Sequence, residues 1–443
     1  MKHTLLLFTF MCALVCNTHA QLRSGPMVGA VEMREAKIWV QTLLPSDVFV
    51  TYAEATGKTF TTTTAHTAAE NACTAVLIAD SVEPGRKYTY NVHISGKKVS
   101  LSYPTTFTTP PIWKWRSDSL PSISVAFGSC FYVNEPGYER WDKNGNESGY
   151  GSEYEIVTSI ANKHPDAMIW LGDNVYLREP DWNSRSGILK RYTHTRSLPQ
   201  LQPLLASTSN YATWDDHDYG PNDADRSFSG KGHALDAFKL FWANPSYGVM
   251  DMPGITTSFE LIDAQFFLLD DRYYRSPNKE EDTTAQILGA MQTQWLIDAL
   301  SASTATFKII CIGSQFLTDS KQKESFARAP SERTQIIDAL TQRKIEGVIF
   351  LTGDIHAAEL SKMERQGTYP LYEFTSSSLT AGSNKSIATQ SNTYRVPTTE
   401  YGEHNFGMIQ VRGKKSARVL TMTLYNKDGA EVWSREINET ELR

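Results

Sequence analysis

At 443 residues the chain is longer than a single hydrophobic core usually grows, which favours two domains. Hydrophobic residues make up 40% and charged residues 21%, an ordinary globular composition rather than a disordered or fibrous one. The net charge of -6 comes without a long block of like charge, so no nucleic-acid partner is expected, and a phosphate-bearing substrate would need local cations from arginines or bound metal.

Residues 1–20 read as a signal peptide. Lys2 and His3 precede an apolar run from Leu5 to Cys16 that is too short to span a bilayer, and Thr18 and Ala20 place small residues before a cut at Gln21. The expectation is a secreted or periplasmic protein without a transmembrane anchor. Lipoprotein anchoring through Cys16 is the weaker reading, because Val15 suits a lipoprotein cleavage site poorly. Cleavage leaves Cys73, Cys130 and Cys311; Cys73 and Cys311 read as small buried hydrophobes on strands. Nothing in the sequence sets an oligomeric state.

Residues 21–112 read as a small β-sandwich. Lys37 to Gln41, Val48 to Tyr52 and Lys87 to Ile94 alternate polar with apolar, and Glu83-Pro-Gly-Arg forms a turn before the last of them. The stretch from Val82 to Val92 resembles the corner before a late strand of fibronectin type III domains, so an immunoglobulin or fibronectin III-like sandwich is expected. Pro110-Pro111 closes this unit.

Over residues 113–443 the pattern becomes apolar runs separated by helical segments, the signature of an α/β layer fold. Six runs stand out: Ile123 to Phe127, Ala167 to Leu171, Tyr211 to Trp214, Gln265 to Leu269, Lys308 to Ile312 and Gly347 to Leu351. Each leads directly into polar residues. Ligands of open α/β sheets sit beyond the carboxyl ends of strands, so six such ends are expected to build one site.

Gly172-Asp173 lets the chain turn sharply after its strand, and Tyr176 follows at a spacing that can face one ion. A helix cap is the other reading of Asp173. In Trp214-Asp215-Asp216-His217-Asp218, three carboxylates around a histidine repel one another and are best tolerated around a cation. Gly353-Asp354-Ile355-His356 pairs a carboxylate with an imidazole, which suits iron, manganese or zinc. Cys130, after Phe127-Gly-Ser, offers a thiolate to the same ion; taken alone it is equally a buried structural cysteine.

The order Gly128-Ser-Cys, Gly172-Asp-Asn-Val-Tyr, Trp214-Asp-Asp-His-Asp, Leu269-Asp-Asp-Arg-Tyr-Tyr-Arg and Gly353-Asp-Ile-His resembles the PhoD-type alkaline phosphatases, relatives of the purple acid phosphatases in the metallophosphoesterase superfamily. Ser376-Ser-Ser-Leu-Thr-Ala and Asn405-Phe-Gly are similar to later parts of the same pattern. The resemblance implies a metallophosphoesterase-type αββα sandwich after the N-terminal domain, and a small phosphoester as substrate. It implies that Asp173 bridges two metals, that Cys130, Tyr176 and His356 hold Fe(3+), and that Asp216 and Asp354 hold Ca(2+), with Asp215, Asp218, Asn222 and Asp223 as further calcium candidates. Arg272 would face the phosphate. His217, beside Asp216 and Asp218, would be favoured as imidazolium and would protonate the leaving oxygen. Leu177, Phe131-Tyr132 and Tyr219-Gly-Pro-Asn depart from the better-known bacterial pattern, and bear on the number of calcium ions and on substrate choice.

The expected reaction is hydrolysis of phosphomonoesters. A phosphodiesterase or phospholipase of the same architecture is the near alternative, with Trp182, Tyr192 and the segment from Arg178 to Thr195 shaping the entrance. A non-catalytic extracellular calcium-binding protein is the alternative from another class; retained Tyr, Cys and His argue against it, since a structural calcium site needs only oxygen ligands. A serine hydrolase is disfavoured, because Gly128-Ser129-Cys130 lacks the Gly-x-Ser-x-Gly elbow.

Overall fold

The computed structural model describes residues 21–116, 118–139, 150–278, 284–320 and 324–443. The proposed signal peptide and Cys16 lie outside the described residues. No described helix is long and apolar enough to cross a membrane.

The N-terminal unit is a β-sandwich. Leu22–Val31, Ala36–Thr42 and Thr74–Ala79 form one sheet; Asp47–Ala53 and Lys87–Ile94 anchor the other, with short flanking strands. The alternation in Lys87–Ile94 has the expected result: Tyr88, Tyr90, Val92 and Ile94 point inward. They pack with Ile38, Val40, Val50, Tyr52 and Phe107 into a core of their own. The turn before that strand is tied down where the Tyr88 hydroxyl accepts the Glu83 N–H at 2.8 Å.

The larger unit is built from two facing six-stranded sheets. In the first, Ser209–Thr213, Ala167–Leu171 and Ile123–Gly128 run parallel, and Asn405–Lys414, Ala417–Asn426 and Glu431–Asn438 continue as an antiparallel meander. In the second, Ala264–Leu268, Phe307–Cys311, Val348–Thr352 and Leu371–Thr375 run parallel, with Thr257–Leu261 and Glu359–Met363 antiparallel at the edges. Phe127, Ile169 and Leu171 meet Phe266, Ile309, Leu351 and Phe374 between the sheets. Phe127 and Phe374 cross edge to face at 4.9 Å, a favoured aromatic geometry that pins one sheet on the other.

Helices cover the outer faces. Glu155–Asn162, Arg185–Arg196, Gln202–Ser207 and Lys231–Phe241 bury Ile156, Ile188, Leu204 and Phe238 in one apolar cluster with Met168, Trp170 and Ala212 of the first sheet. Ala290–Ala302 and Pro330–Gln342 pack Leu296, Leu300, Ile336 and Leu340 into the core of the second. Ser184 caps its helix by accepting the Gly187 N–H, and Pro330 begins another, where its missing N–H costs nothing. The sandwich leans on the helices that cover the first sheet, through the Trp39 indole N–H to the Leu240 carbonyl at 2.7 Å and the Tyr90 hydroxyl to the Ala206 carbonyl at 2.9 Å.

The six apolar runs are strands, three in each of the two sheets, in keeping with the expected two-sheet sandwich. Two other expectations need correction. Cys73 is not on a strand; it sits in the turn before Thr74–Ala79 with φ 54°, whereas Cys311 is a buried strand residue. Tyr192 does not shape an entrance, because residues from Arg185 to Arg196 are a helix that turns Tyr192 onto Phe241, fully buried.

Candidate metal centre

The six proposed metal ligands come together at the carboxyl ends of strands from both sheets. Cys130 follows Ile123–Gly128, Asp173 and Tyr176 follow Ala167–Leu171, Asp216 follows Ser209–Thr213, and Asp354 and His356 follow Val348–Thr352. Cys130, Asp173, Asp354 and His356 all have left-handed backbone, with φ of 59°, 51°, 68° and 56°. Such conformations cost about 1–3 kcal/mol each and gather at sites where function requires them.

Local geometry explains how the loops meet. Gly172 turns with φ 95°, and a Cβ there would lie 2.6 Å from the Asp215 Cβ, so only glycine lets the two loops touch. Asp218 then locks them together. Its carboxylate accepts the N–H of Asn174 at 3.0 Å, of Val175 at 3.3 Å and of Asp215 at 3.0 Å.

Within the cluster, Cys130 Sγ is 3.7 Å from Asp173 Oδ2 and 3.6 Å from the Asp354 carbonyl oxygen. Tyr176 Oη is 3.4 Å from His356 Nε2, and the Tyr176 ring stacks on His217 at 4.3 Å. Asp173 Oδ1 accepts the His217 backbone N–H at 3.1 Å, a tie to the loop after another strand; no helix directly follows Asp173 for it to cap. Possible ligand atoms of Asp173, Asp216 and His217 lie within 4.8 Å of one another, as do those of Asp216, Asp223 and Glu324.

The electrostatics ask for cations. Burial, then the charges of Asp216, Asp218 and Asp354, push the Asp173 carboxyl well above its usual range. Burial and neighbouring Asp173 do the same to the Cys130 thiol and the Tyr176 phenol. Asp216 is the exception: burial opposes its ionisation, but the His217 and Arg272 charges and the Asp223 N–H hold it down at about 2. Buried Asp215 Oδ2, Asp271 Oδ1 and Glu324 Oε1 have no hydrogen-bond partner. Of these, Glu324 lies with Asp216 in the cluster, and a thiol, a phenol, an imidazole and several carboxylates together fit the donor set of a mixed metal centre.

Arg272 is fully buried. Its Nε donates to Asp215 Oδ1 at 2.6 Å, its terminal nitrogens reach Asp215 and Glu324, and one contacts the Ala224 carbonyl at 3.3 Å. The guanidinium is thus packed among carboxylates rather than turned outward to a ligand.

The sequence model of the PhoD-like phosphatases matches residues 139–422, most of the chain. This chain belongs to the PhoD-like phosphatase family. Cys130 lies ahead of the span matched to that family, and residues 19–112 match a domain of unknown function (DUF7800). The chain is 23% identical over 361 residues to alkaline phosphatase D of Bacillus subtilis (strain 168), covering 69% of this chain and 58% of that longer relative. Its fold is similar to a solved structure of PhoD, with TM-score 0.75 and 19% identity over 95% of this chain and 92% of that one. It is also similar to a purple acid phosphatase from yellow lupin (Lupinus luteus) seeds, with TM-score 0.67 and 13% identity over 94% and 74% of the two chains.

Against this family background, the remaining calcium candidates separate by their partners. Asp223 lies with Asp216 and Glu324, Asp215 is engaged by Arg272, Asp218 by backbone N–H groups, and Asn222 is exposed. Asp270 and Asp271, ahead of Arg272, support the fold: Asp270 accepts the Trp214 indole N–H at 2.7 Å, and Asp271 accepts the Ser314 N–H at 2.9 Å. Sequence reasoning did not single out Glu324, whose neighbours Lys321-Gln-Lys read as a solvated run. Nor did it assign roles to Ser129 and Ser377, although both lie in motifs that it quoted.

Proposed function

We propose that the chain is an exported, metal-dependent phosphatase that hydrolyses phosphomonoesters, with residues 1–20 as the signal peptide and 21–112 as a fibronectin III-like brace for the catalytic unit of residues 113–443. The observation that carries this reading is the convergence of Cys130, Asp173, Tyr176, Asp216, Asp354 and His356, from four strand ends in two sheets, on one buried acidic cluster. In the proposed assignment Cys130, Tyr176, His356 and Asp173 would hold Fe(3+), and Asp216 and Asp354, with Asp173, would hold Ca(2+); soft and phenolic donors suit iron, while carboxylates suit calcium. When bound, the ions supply Lewis acidity at phosphorus and an acidified water for in-line attack.

The protein's own groups complete the chemistry. Stacking on Tyr176 fixes the His217 ring at the edge of the cluster, from which it gives a proton to the leaving oxygen. Arg272 enters as an electrostatic rather than a contacting group. From its place between Asp215 and Glu324 it offsets the acidic charge on the Asp216 side and favours an incoming phosphate dianion. Small phosphomonoesters are the proposed substrates; the overall charge of -6 offers no broad attraction for a polyanion such as nucleic acid.

The test combines elemental analysis of the purified protein with turnover of p-nitrophenyl phosphate and bis-p-nitrophenyl phosphate. Iron and calcium should be present, the monoester preferred, and both metal and turnover lost in Asp173→Ala. Full activity in Asp173→Ala or in metal-stripped protein would overturn the mechanism, and a strong diester preference would overturn the substrate assignment.

A further inference from the structure

Two buried serines converge on the sulfur of Cys130. Ser377 Oγ donates to Cys130 Sγ at 3.1 Å, and Ser129 Oγ lies 3.4 Å from the same sulfur. Each hydroxyl oxygen also accepts a backbone N–H from the loop that carries Asp354 and His356: Asp354 N–H to Ser129 Oγ and His356 N–H to Ser377 Oγ, both at 3.1 Å. A serine hydroxyl has one proton and two acceptor lone pairs. With the oxygen accepting from the backbone, the proton is free for the sulfur, and a deprotonated, metal-bound sulfur has none to give back.

The arrangement is rigid. Cys130 donates its backbone N–H to the Gly172 carbonyl at 3.2 Å, and its carbonyl accepts from Thr380 at 3.2 Å and Ala381 at 3.0 Å. The Ser377 carbonyl accepts from the Asn405 side chain at 2.6 Å. Cys130, Ser129 and Ser377 are all at most 1% exposed, so bulk water does not compete and the hydrogen bonds act in a low dielectric.

We propose that Ser129 and Ser377 are positioning residues that tune the Cys130 thiolate through two O–H···S hydrogen bonds. The proposal rests on the reading of Cys130 as an iron ligand. Hydrogen bonds to a ligating sulfur draw electron density away from it, weaken its donation to the metal and raise the reduction potential. They also move sulfur-to-iron charge-transfer absorption to shorter wavelength. The same two hydroxyls fix the loop bearing Asp354 and His356 relative to Cys130, so tuning and assembly share one set of contacts.

The experiment uses the full-length iron-containing protein and its Ser129→Ala, Ser377→Ala and double variants. It measures iron content, the visible charge-transfer maximum and the Fe(III)/Fe(II) midpoint potential. Each alanine should shift the band to longer wavelength and lower the potential, with the largest change in the double variant, and Ser377→Thr should restore the original band. If an alanine variant loses iron, Ser129→Cys or Ser377→Cys replaces it, with a smaller shift in the same direction expected from the weaker S–H donor. Unchanged band and potential at wild-type iron content, or a shift that Thr does not restore, would overturn the tuning role while leaving the metal assignment intact. Wild-type protein that is colourless and iron-free would refute the metal assignment, and the tuning role with it.

Discussion

Replacing Asp218 by Ala removes the shared acceptor of three backbone N–H groups, those of Asn174, Val175 and Asp215. The residue is fully buried, so solvent does not take over. A buried donor left unpaired costs about 1–3 kcal/mol, and three therefore cost roughly 3–9 kcal/mol. That rivals the whole stability of a typical domain, about 5–15 kcal/mol. Asp218→Asn is the informative comparison. With its amide oxygen in place of Oδ1, it keeps Asn174 and Val175 paired and strands only Asp215, at a cost of about 1–3 kcal/mol. Part of that cost is offset, because burial pushes the native carboxyl up to about 7 and the neutral amide avoids burying a charge. Urea unfolding followed by tryptophan fluorescence, for which buried Trp170 and Trp214 are local reporters, should rank wild type above Asn and Asn well above Ala. An Ala variant within about 0.5 kcal/mol of wild type, the range of a neutral surface change, would refute the clamp.

Two further outcomes follow from the geometry. A Cβ on Gly353 would fall 2.4 Å from Ser129 Oγ, so Gly353→Ala should displace Ser129 from the Asp354 N–H and weaken metal retention about 10–100-fold, as supporting-shell changes do; unchanged metal content after dialysis would count against it. Glu373 is buried and raised from 4.5 to about 7, chiefly by that burial. The unfolded chain then ionises near 4.5 while the folded one holds its proton to about 7, so this group's stabilisation is full below 4.5 and is lost as pH rises through 7, by about 3 kcal/mol in all. Glu373→Gln should remove that share of the slope in urea midpoints between pH 4 and 8, and parallel profiles for the two proteins would refute it.

The strands were legible because they are buried on both faces. Ala167–Leu171 is inaccessible at every position, so it reads as an unbroken apolar run, and its end is marked by the first polar residue. Which sheet a run joins was not legible, since the pairing of Ala167–Leu171 with Ser209–Thr213, or of Phe307–Cys311 with Val348–Thr352, depends on packing between distant segments. The metal-centre candidates were readable as polar residues at those ends. Their division of labour was not: Asp216 and Asp218 look alike in sequence, yet Asp216 lies with Asp173 and His217 in the cluster, whereas Asp218 is taken up by three backbone N–H groups. Tyr192 misled because its helix buries it, and Glu324 was missed because its neighbours look solvated.

The contacts of Cys130 span 224 residues to Asp354 and 247 to Ser377. Closing loops of that length is entropically slow and becomes favourable only when packing on both sides is in place. A nascent chain that has emerged only as far as the first sheet's parallel strands therefore carries the cysteine, the phenol and several carboxylates without the partners that order them. Completion of the centre is tied to arrival of the second sheet, which would make acquisition of the proposed ions a late event in maturation and a report that both halves have docked.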